Sequence, residues 1–431
     1  MSQNLDPRLR GGDIRNALFT KLIIRVIPLK TVILIIAVIL IAGTIWYLDA
    51  AKTGAPLRTS ESADVIVGGP AANGAEAATS TIAGETKLMA EQQSQLVATR
   101  EERIAAKRKK YEAAKEIVRP AGFVNTERVT VQEHVGRSVV LVDFWTYSCI
   151  NCQRTLPYLK AWHERYKDSG LVIIGVHTPE FDFEKDYANV RRAAEKFGVA
   201  YPVVLDNDYG TWSAYGNRYW PRKYLIDIDG FIVYDHIGEG AYDETEEKIR
   251  GLLEERRVAL GVREEMPKKM ARVEESENVS SLPRSPEIYF GALRNNWLGN
   301  GRSHATGPQT LAEPAGIKTN ILYLAGEWNF ADEFTENKSA GAKIIFRYQA
   351  EKVFTVLSAD HPVEIDVLRD GRPLGAERGQ HVQTRPDGTT FVRVFDAGLY
   401  RLIEDPAGHG EYTLEIIIKD PGIKAFTFTF G

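Results

Sequence analysis

A chain of 431 residues is long enough for two or three domains, and its 44% hydrophobic and 26% charged residues are ordinary for globular protein, so a sizeable core is available. The formal charge is only −4, and no long basic stripe occurs in the parts that read as folded. Nucleic acid is therefore excluded as the expected partner.

The first element is Thr31 to Leu48, TVILIIAVILIAGTIWYL, which carries no charge and has the length of a bilayer-crossing helix. Trp46 and Tyr47 stand at its far end, where amphipathic rings favour the headgroup region. Arg8, Arg10, Arg15, Lys21, Arg25 and Lys30 precede it, whereas Asp49 and scattered bases follow. This asymmetry predicts a cytoplasmic tail over 1–30, a transmembrane anchor over 31–48 and export of everything beyond. A signal peptide cut near Ala50 is the alternative, and it exports the same remainder. Residues 49–85, rich in Ala, Gly, Ser and Thr, read as a flexible linker. Residues 86–118, dense in Ala, Glu, Lys, Arg and Gln, read as a solvated charged helix or weak coiled coil.

Over 119–262 the texture is α/β. Ser138–Trp145, SVVLVDFW, and Leu171–Val176, LVIIGV, are buried-strand runs. Cys149–Tyr166 reads as a helix with Leu156, Leu159 and Trp162 on one face. Phe183–Phe197 reads as another, with Tyr187, Val190 and Ala194 recurring on one side. Tyr201–Leu205 and Lys223–Asp227 are further strands, and Asp229-Gly230 turns the last into a hairpin with Phe231–His236. Asp243–Val258 closes as a helix. The order predicts an α/β sheet with an antiparallel edge. Residues 263–285, charged and proline-containing, read as a linker. From 286 to 431 short alternating segments, among them Ala342–Tyr348, Val363–Leu368 and Glu411–Ile418, predict an all-β sandwich, jelly-roll-like.

The two cysteines, Cys149 and Cys152, lie three positions apart after the strand ending in Phe144-Trp145. So tight a pair closes a tiny loop and is a poor structural staple. A zinc site would need two more ligands, and a c-type haem would need histidine where Gln153 stands. Thiol–disulfide exchange fits best. A thiol at the start of a helix meets free backbone N–H groups and the positive dipole end, which favour the thiolate. Cys152, one turn on, is within reach of a mixed disulfide formed on Cys149. An aspartate inside an apolar run is costly without a task, which marks Asp143.

The segment VDFWTYSCINCQRTLPYL resembles the active-site segment of thioredoxin-fold proteins, and more closely that of the exported TlpA-like group and the C-terminal region of DipZ-type proteins. The similarity runs from about Phe123 through Val262, including HTPEF at 177–181. The block ending in TFTFG resembles the carbohydrate-binding-module-like β-domain that follows in DipZ. The resemblance implies a thiol–disulfide oxidoreductase in which Cys149 attacks, Cys152 resolves and Asp143 assists proton transfer. It implies Pro157 as the proline that kinks the first helix, and a cis bond at Trp220-Pro221 presenting the backbone of Trp220 to a substrate chain. Trp145, packed under the active-site loop, is grouped with Trp220 and Pro221 as substrate-binding. The redox group is the Cys149–Cys152 disulfide, so no bound cofactor and no metal are implied. DipZ-type proteins carry a multi-helix membrane domain where this chain has one anchor. Its partners are then cysteine-containing exported proteins and a separate membrane electron donor of the DsbD/CcdA-like kind.

Rival readings are a peroxiredoxin-like thiol peroxidase, and an envelope sugar-binding or adhesion protein with a vestigial redox module. His177 and Glu180 are candidates to approach the cysteines. Trp297 and Trp328 are candidates to line a sugar cleft that would take envelope glycans. Asn278-Val279-Ser280 and Asn337-Lys338-Ser339 match the glycosylation triplet.

Overall fold

The computed structural model of the chain describes residues 99–263, 265–273, 282 and 284–431. The expected anchor at Thr31–Leu48 and linker at 49–85 lie outside these residues, as does Asn278. Among the described residues no helix is long and apolar enough to cross a membrane.

Among the described residues of the charged segment, helix covers α1 (Arg100–Lys107) and does not run through residue 118. Thr99 and Glu102 form a reciprocal capping box that starts it. Its basic side chains then reach into the next domain. Lys107 Nζ pairs with Asp227 at 2.6 Å, Asp229 at 2.9 Å and Glu255, and Arg103 pairs with Asp229 at 3.0 Å. The chain leaves the helix to form β1 (Glu112–Ala113), an added edge strand. Tertiary ion pairs and a sheet edge thus override the helical composition that predicted a longer, solvated element.

The α/β domain continues with β2 (Gly122–Val124), β3 (Val139–Trp145), α2 (Ile150–Tyr166), β4 (Leu171–His177), α3 (Tyr187–Phe197), β5 (Val203–Leu205), α4 (Gly210–Ala214), β6 (Arg222–Ile226), β7 (Phe231–Ile237) and α5 (Tyr242–Leu260). The sheet order is β1-β7-β6-β3-β4-β5-β2. The central three, β3, β4 and β5, are parallel, and the flanking strands are antiparallel. All seven residues of β3 are buried. Alternation sends Val139, Leu141 and Trp145 towards Leu156, Leu159 and Trp162 of α2 and towards Ile249 and Leu253 of α5. Val140, Val142 and Phe144 meet Val129, Val131 and Tyr215 on the other face. By the same alternation Asp143 falls on the α2 face. Val190 and Ala194, expected on one side of α3 with Tyr187, are buried, whereas Tyr187 is 48% exposed.

The C-terminal region is β-rich. It comprises β8 (Ile288–Tyr289), β9 (Gly307–Leu311), β10 (Leu322–Phe330), β11 (Thr335–Asn337), β12 (Ala342–Ala350), β13 (Lys352–Ala359), β14 (Val363–Arg369), β15 (Arg372–Pro373), β16 (Gln383–Thr384), β17 (Thr390–Val394), β18 (Gly398–Glu404), β19 (Gly410–Ile418) and β20 (Ile423–Phe430). Strand β10 belongs to two groups: Leu322–Ala325 pair with β12, and Gly326–Phe330 pair with β9. The change occurs at Gly326, whose φ of +99° suits glycine and whose Cβ would press on Ala342 at 3.1 Å. Residues from both groups, such as Ile344, Ile365 and Ile416 with Val353, Leu357 and Phe428, share one apolar core.

Trp328 belongs to that core, fully buried with its Nε1 donating to Ala325 O at 2.9 Å. It offers no sugar-binding face; Trp297 is 40% exposed. Asn337 is buried too, its amide bonded to Ser339 O and Asp420 O, which removes it as a glycosylation acceptor.

Candidate active site

Helix α2 begins where Cys149 leaves helical geometry. Cys149 is its N-cap, with φ −78° and ψ 119°, and its side chain is half-buried. Cys152, one turn inside, is buried. Burial, a hydrogen bond with the Cys149 side chain and the charge of Cys149 push the Cys152 thiol up, against a backbone hydrogen bond at Thr146. Pro157 lies within α2 and has no N–H for the helical ladder.

Beneath Cys152 sits Asp143. It is 1% exposed, and neither carboxylate oxygen has a hydrogen-bond partner. Burial pushes its pKa up to about 7, opposed by the charge of Lys223. Lys223 stands opposite Asp143 in the β3–β6 register and is itself 1% exposed. Its Nζ donates to Gly238 O at 3.2 Å. Burial lowers its pKa, while Asp143, Cys152 and Glu239 oppose that. The buried Tyr201 hydroxyl, also without a partner, feels both Asp143 and Cys152. Sequence reading missed Lys223 and Tyr201. For Lys223 a signal existed: Lys223 and Leu225 share the inward parity of β6, so the lysine had to enter the core.

The loop between β3 and α2 is held from below by two residues. His177, at the end of β4, accepts from Tyr147 N through Nε2 at 3.3 Å and stacks on the Tyr147 ring at 5.7 Å. Burial lowers its pKa to about 3, so it stays neutral. Glu184, in a single 3-10 turn over Asp182–Lys185, is fully buried. Its Oε1 accepts from Ser148 N at 3.2 Å and Ser148 Oγ at 2.6 Å. Its Oε2 accepts from Glu180 N at 2.6 Å and Phe181 N at 3.1 Å. Glu184 therefore ties the residue before Cys149 to the 180–184 turn. Nothing in EFDFEKD distinguishes this glutamate from its exposed neighbours.

Trp220-Pro221 is a cis peptide. Trp220 is half-buried, packs against the same apolar cluster as Cys149, and donates from Nε1 to Thr178 O at 3.0 Å. The β3–β6 ladder ends at Phe144 and Arg222, which leaves Trp220 beyond it, towards the cysteine end of the sheet. Trp145 lies under the loop, as expected, but is closed to a substrate. It is 1% exposed, its ring edge-on to His177 at 5.2 Å, so it supports the loop and offers no surface to a substrate. Its parity on β3 points it inward.

Glu180 faces away from the cysteines. It accepts from Tyr289 Oη at 2.9 Å and pairs with Arg294 at 2.8 Å, both from the β-rich region. Phe181 and Phe183 pack there on Phe426 at ring separations of 5.0 and 4.9 Å. The β-rich region also touches the cysteine loop and α2 directly. Tyr147 Oη donates to Ala397 O at 3.4 Å, and the Arg154 guanidinium lies 5.3 Å from the Phe354 ring.

Comparison with known proteins places these features. Residues 112–253 match the Redoxin family model, and residues 285–431 match the model described as thioredoxin like C-terminal domain. Protein DipZ of Mycobacterium bovis and of Mycobacterium tuberculosis is 36% identical over 296 residues, 68% of this chain and 39% of DipZ. The chain thus spans about two-fifths of the length of these relatives. Thiol-disulfide oxidoreductase YkuV of Bacillus subtilis is 25% identical over 32% of this chain and 93% of its own length. Thiol-disulfide oxidoreductase ResA of Bacillus thuringiensis is 29% identical over 30% of this chain and 68% of its own. The chain thus carries a Redoxin domain followed by a thioredoxin-like C-terminal domain, and it is similar to DipZ over 68% of its own length.

Proposed function

We propose that this chain is a membrane-anchored, extracytoplasmic thiol–disulfide oxidoreductase that exchanges disulfides with cysteine-containing exported proteins. The observation that carries the reading is the half-buried Cys149 at a helix N-cap, above a buried Cys152 with an unpartnered Asp143 beneath it. The apolar run at Thr31–Leu48 supports the anchor and the outward orientation. The β-rich region reads as a jelly-roll-like sandwich.

In the reductive direction the Cys149 thiolate attacks one sulfur of a substrate disulfide. The S–S bond breaks, the second substrate sulfur leaves as a thiolate and takes a proton, and Cys149 is joined to the substrate. The Cys152 thiol, held protonated by burial, passes its proton to the Asp143 carboxylate and attacks Cys149 Sγ. The first substrate sulfur leaves and takes up a proton. Two electrons and two protons have then moved to the substrate, and Cys149–Cys152 is a disulfide. A dithiol protein in the membrane restores the pair, and the reverse sequence installs a disulfide. Trp220, beyond the β6 ladder beside the cysteine loop, is positioned to pair with the substrate backbone. No bound cofactor enters these steps.

The test is trapping. Cys152→Ser incubated with a disulfide-bridged peptide should accumulate a covalent adduct at Cys149, seen by non-reducing mass spectrometry, and Cys149→Ser should form none. Absence of the adduct overturns the reading. Equilibration with graded glutathione buffers then gives direction: a potential near about −270 mV marks a reductase and one near about −120 mV an oxidant.

A further inference from the structure

Beside the Cys149 loop a cleft of about 840 Å³ opens between the two folded regions. Tyr147, Gln153 and α3 form one wall; the loop after β17 and the start of β18 form the other. Both walls are fixed by hydrogen bonds. Gln153 Nε2 donates to Tyr147 O at 2.8 Å, and Tyr147 Oη crosses to Ala397 O. Tyr400 Oη donates to Asp396 O at 2.7 Å and accepts from Phe395 N at 3.2 Å.

The loop pinned in this way turns Phe395 outward. Phe395 is 55% exposed, although Val392 and Val394 just before it are buried. An aromatic ring held in solvent by an ordered loop at a cleft mouth has the character of a binding anchor, because little conformational freedom is lost when a partner covers it. The charge of the cleft is also one-sided. Arg192, Lys196, Arg393 and Arg401 line it against Glu195 and Asp396, a cationic excess in a chain that is anionic overall. Burial, Lys196 and Arg401 lower the pKa of His381, which leaves it neutral at physiological pH. Such a lining attracts carboxylates.

We propose that this cleft binds the polypeptide flank of the disulfide substrate and selects segments carrying an apolar side chain and carboxylates close to the reacting cysteine. The proposal rests on the oxidoreductase reading and deepens it, by assigning the β-rich region a share of the substrate site.

The test uses the full-length protein and two cyclic disulfide peptides that differ only in an Asp-Leu-Asp or a Lys-Leu-Lys flank. Bis(2-hydroxyethyl) disulfide, small and neutral, reports the reactivity of the dithiol itself. The expected wild-type preference for the acidic flank is about tenfold in kcat/KM, weakening as salt is added. Arg192→Glu with Lys196→Glu should abolish or invert that preference. Phe395→Ser should lower turnover of both peptides relative to the small disulfide. Equal wild-type rates on the two peptides overturn the proposal, as does a preference that survives the charge reversal. Displacement of the acidic peptide by a neutral oligosaccharide overturns it in favour of a glycan. Fluorescence anisotropy of the same peptides on Cys149→Ser separates the two readings. Flank-selective binding without wild-type turnover sinks the oxidoreductase reading alone, and turnover without selectivity sinks the cleft.

Discussion

Asp143 and Lys223 are two residues whose charge the fold opposes by burial. Each is buried, and the register of β3 against β6 sets them side by side. A carboxyl raised from 3.8 to about 7 keeps its proton in the folded chain while the unfolded chain has lost it. The folded state then binds the extra proton, so stability falls as pH rises from about 4 to about 7 and is level above that. Over this window the loss attributable to Asp143 is up to about 4 kcal/mol. Asp143→Asn should remove the slope: urea denaturation at pH 8 should find the variant more stable than the parent, and the difference should vanish near pH 4. The same variant should resolve mixed disulfides slowly at pH 8, because Cys152 has lost its proton acceptor. A stability curve unchanged by the substitution would show that Asp143 is ionised in the folded protein.

Among the elements, the short turn Asp182–Lys185 has the widest reach. Through Glu184 it holds Ser148, and through Glu180 and Phe181 it seats the β-rich region. The turn is thus a rigid strut between the second domain and the residue preceding Cys149, and Glu184 is a positioning residue. Glu184→Ala leaves Ser148 N, Glu180 N and Phe181 N without their acceptor. A loss of about 3 kcal/mol is expected in chemical denaturation, since buried donors left unsatisfied forfeit their full desolvation cost. Alkylation of Cys149 should change rate in the same variant, because the loop that orients it is released. Glu184→Gln keeps one acceptor oxygen and should fall between. A normal alkylation rate in a destabilised Glu184→Ala would leave Glu184 with a purely structural role.

For the molecule as a whole, the decisive feature is the apolar contact of Phe181 and Phe183 with Phe426, enclosed by Phe334, Val356 and Tyr289. This cluster is separate from the core of either domain, so its energy goes into coupling them. Phe426→Ala should cost about 3–5 kcal/mol by cavity formation. Because the loss falls on the junction, calorimetry should show one cooperative transition separating into two. A single transition at reduced temperature would instead place Phe426 in the stability of the β-rich domain alone.

The sequence by itself determined the elements whose signals are local. The apolar strand before Cys149, the helix that Cys149 opens and the Asp229-Gly230 hairpin are written in periodicity and turn chemistry, which depend only on neighbouring residues. The adjacency of Cys149 and Cys152 and the cost of Asp143 inside an apolar run were legible for the same reason. The tertiary structure alone decided the rest. Lys223 is 80 positions from Asp143 and meets it only through strand register. Glu184 became a buried acceptor because three backbone donors and a serine converge on it, and no local pattern marks such convergence. The composition of residues 100–107 fits a solvated helix; carboxylates at 227, 229 and 255 turned it into a docked one. Trp328 and Asn337 looked like surface functions as residue types, and became interior once partners far along the chain closed over them. Burial is a sum over the whole packed chain, so residue type and spacing can nominate a group for chemistry, but only the packing fixes its charge state and what it can touch.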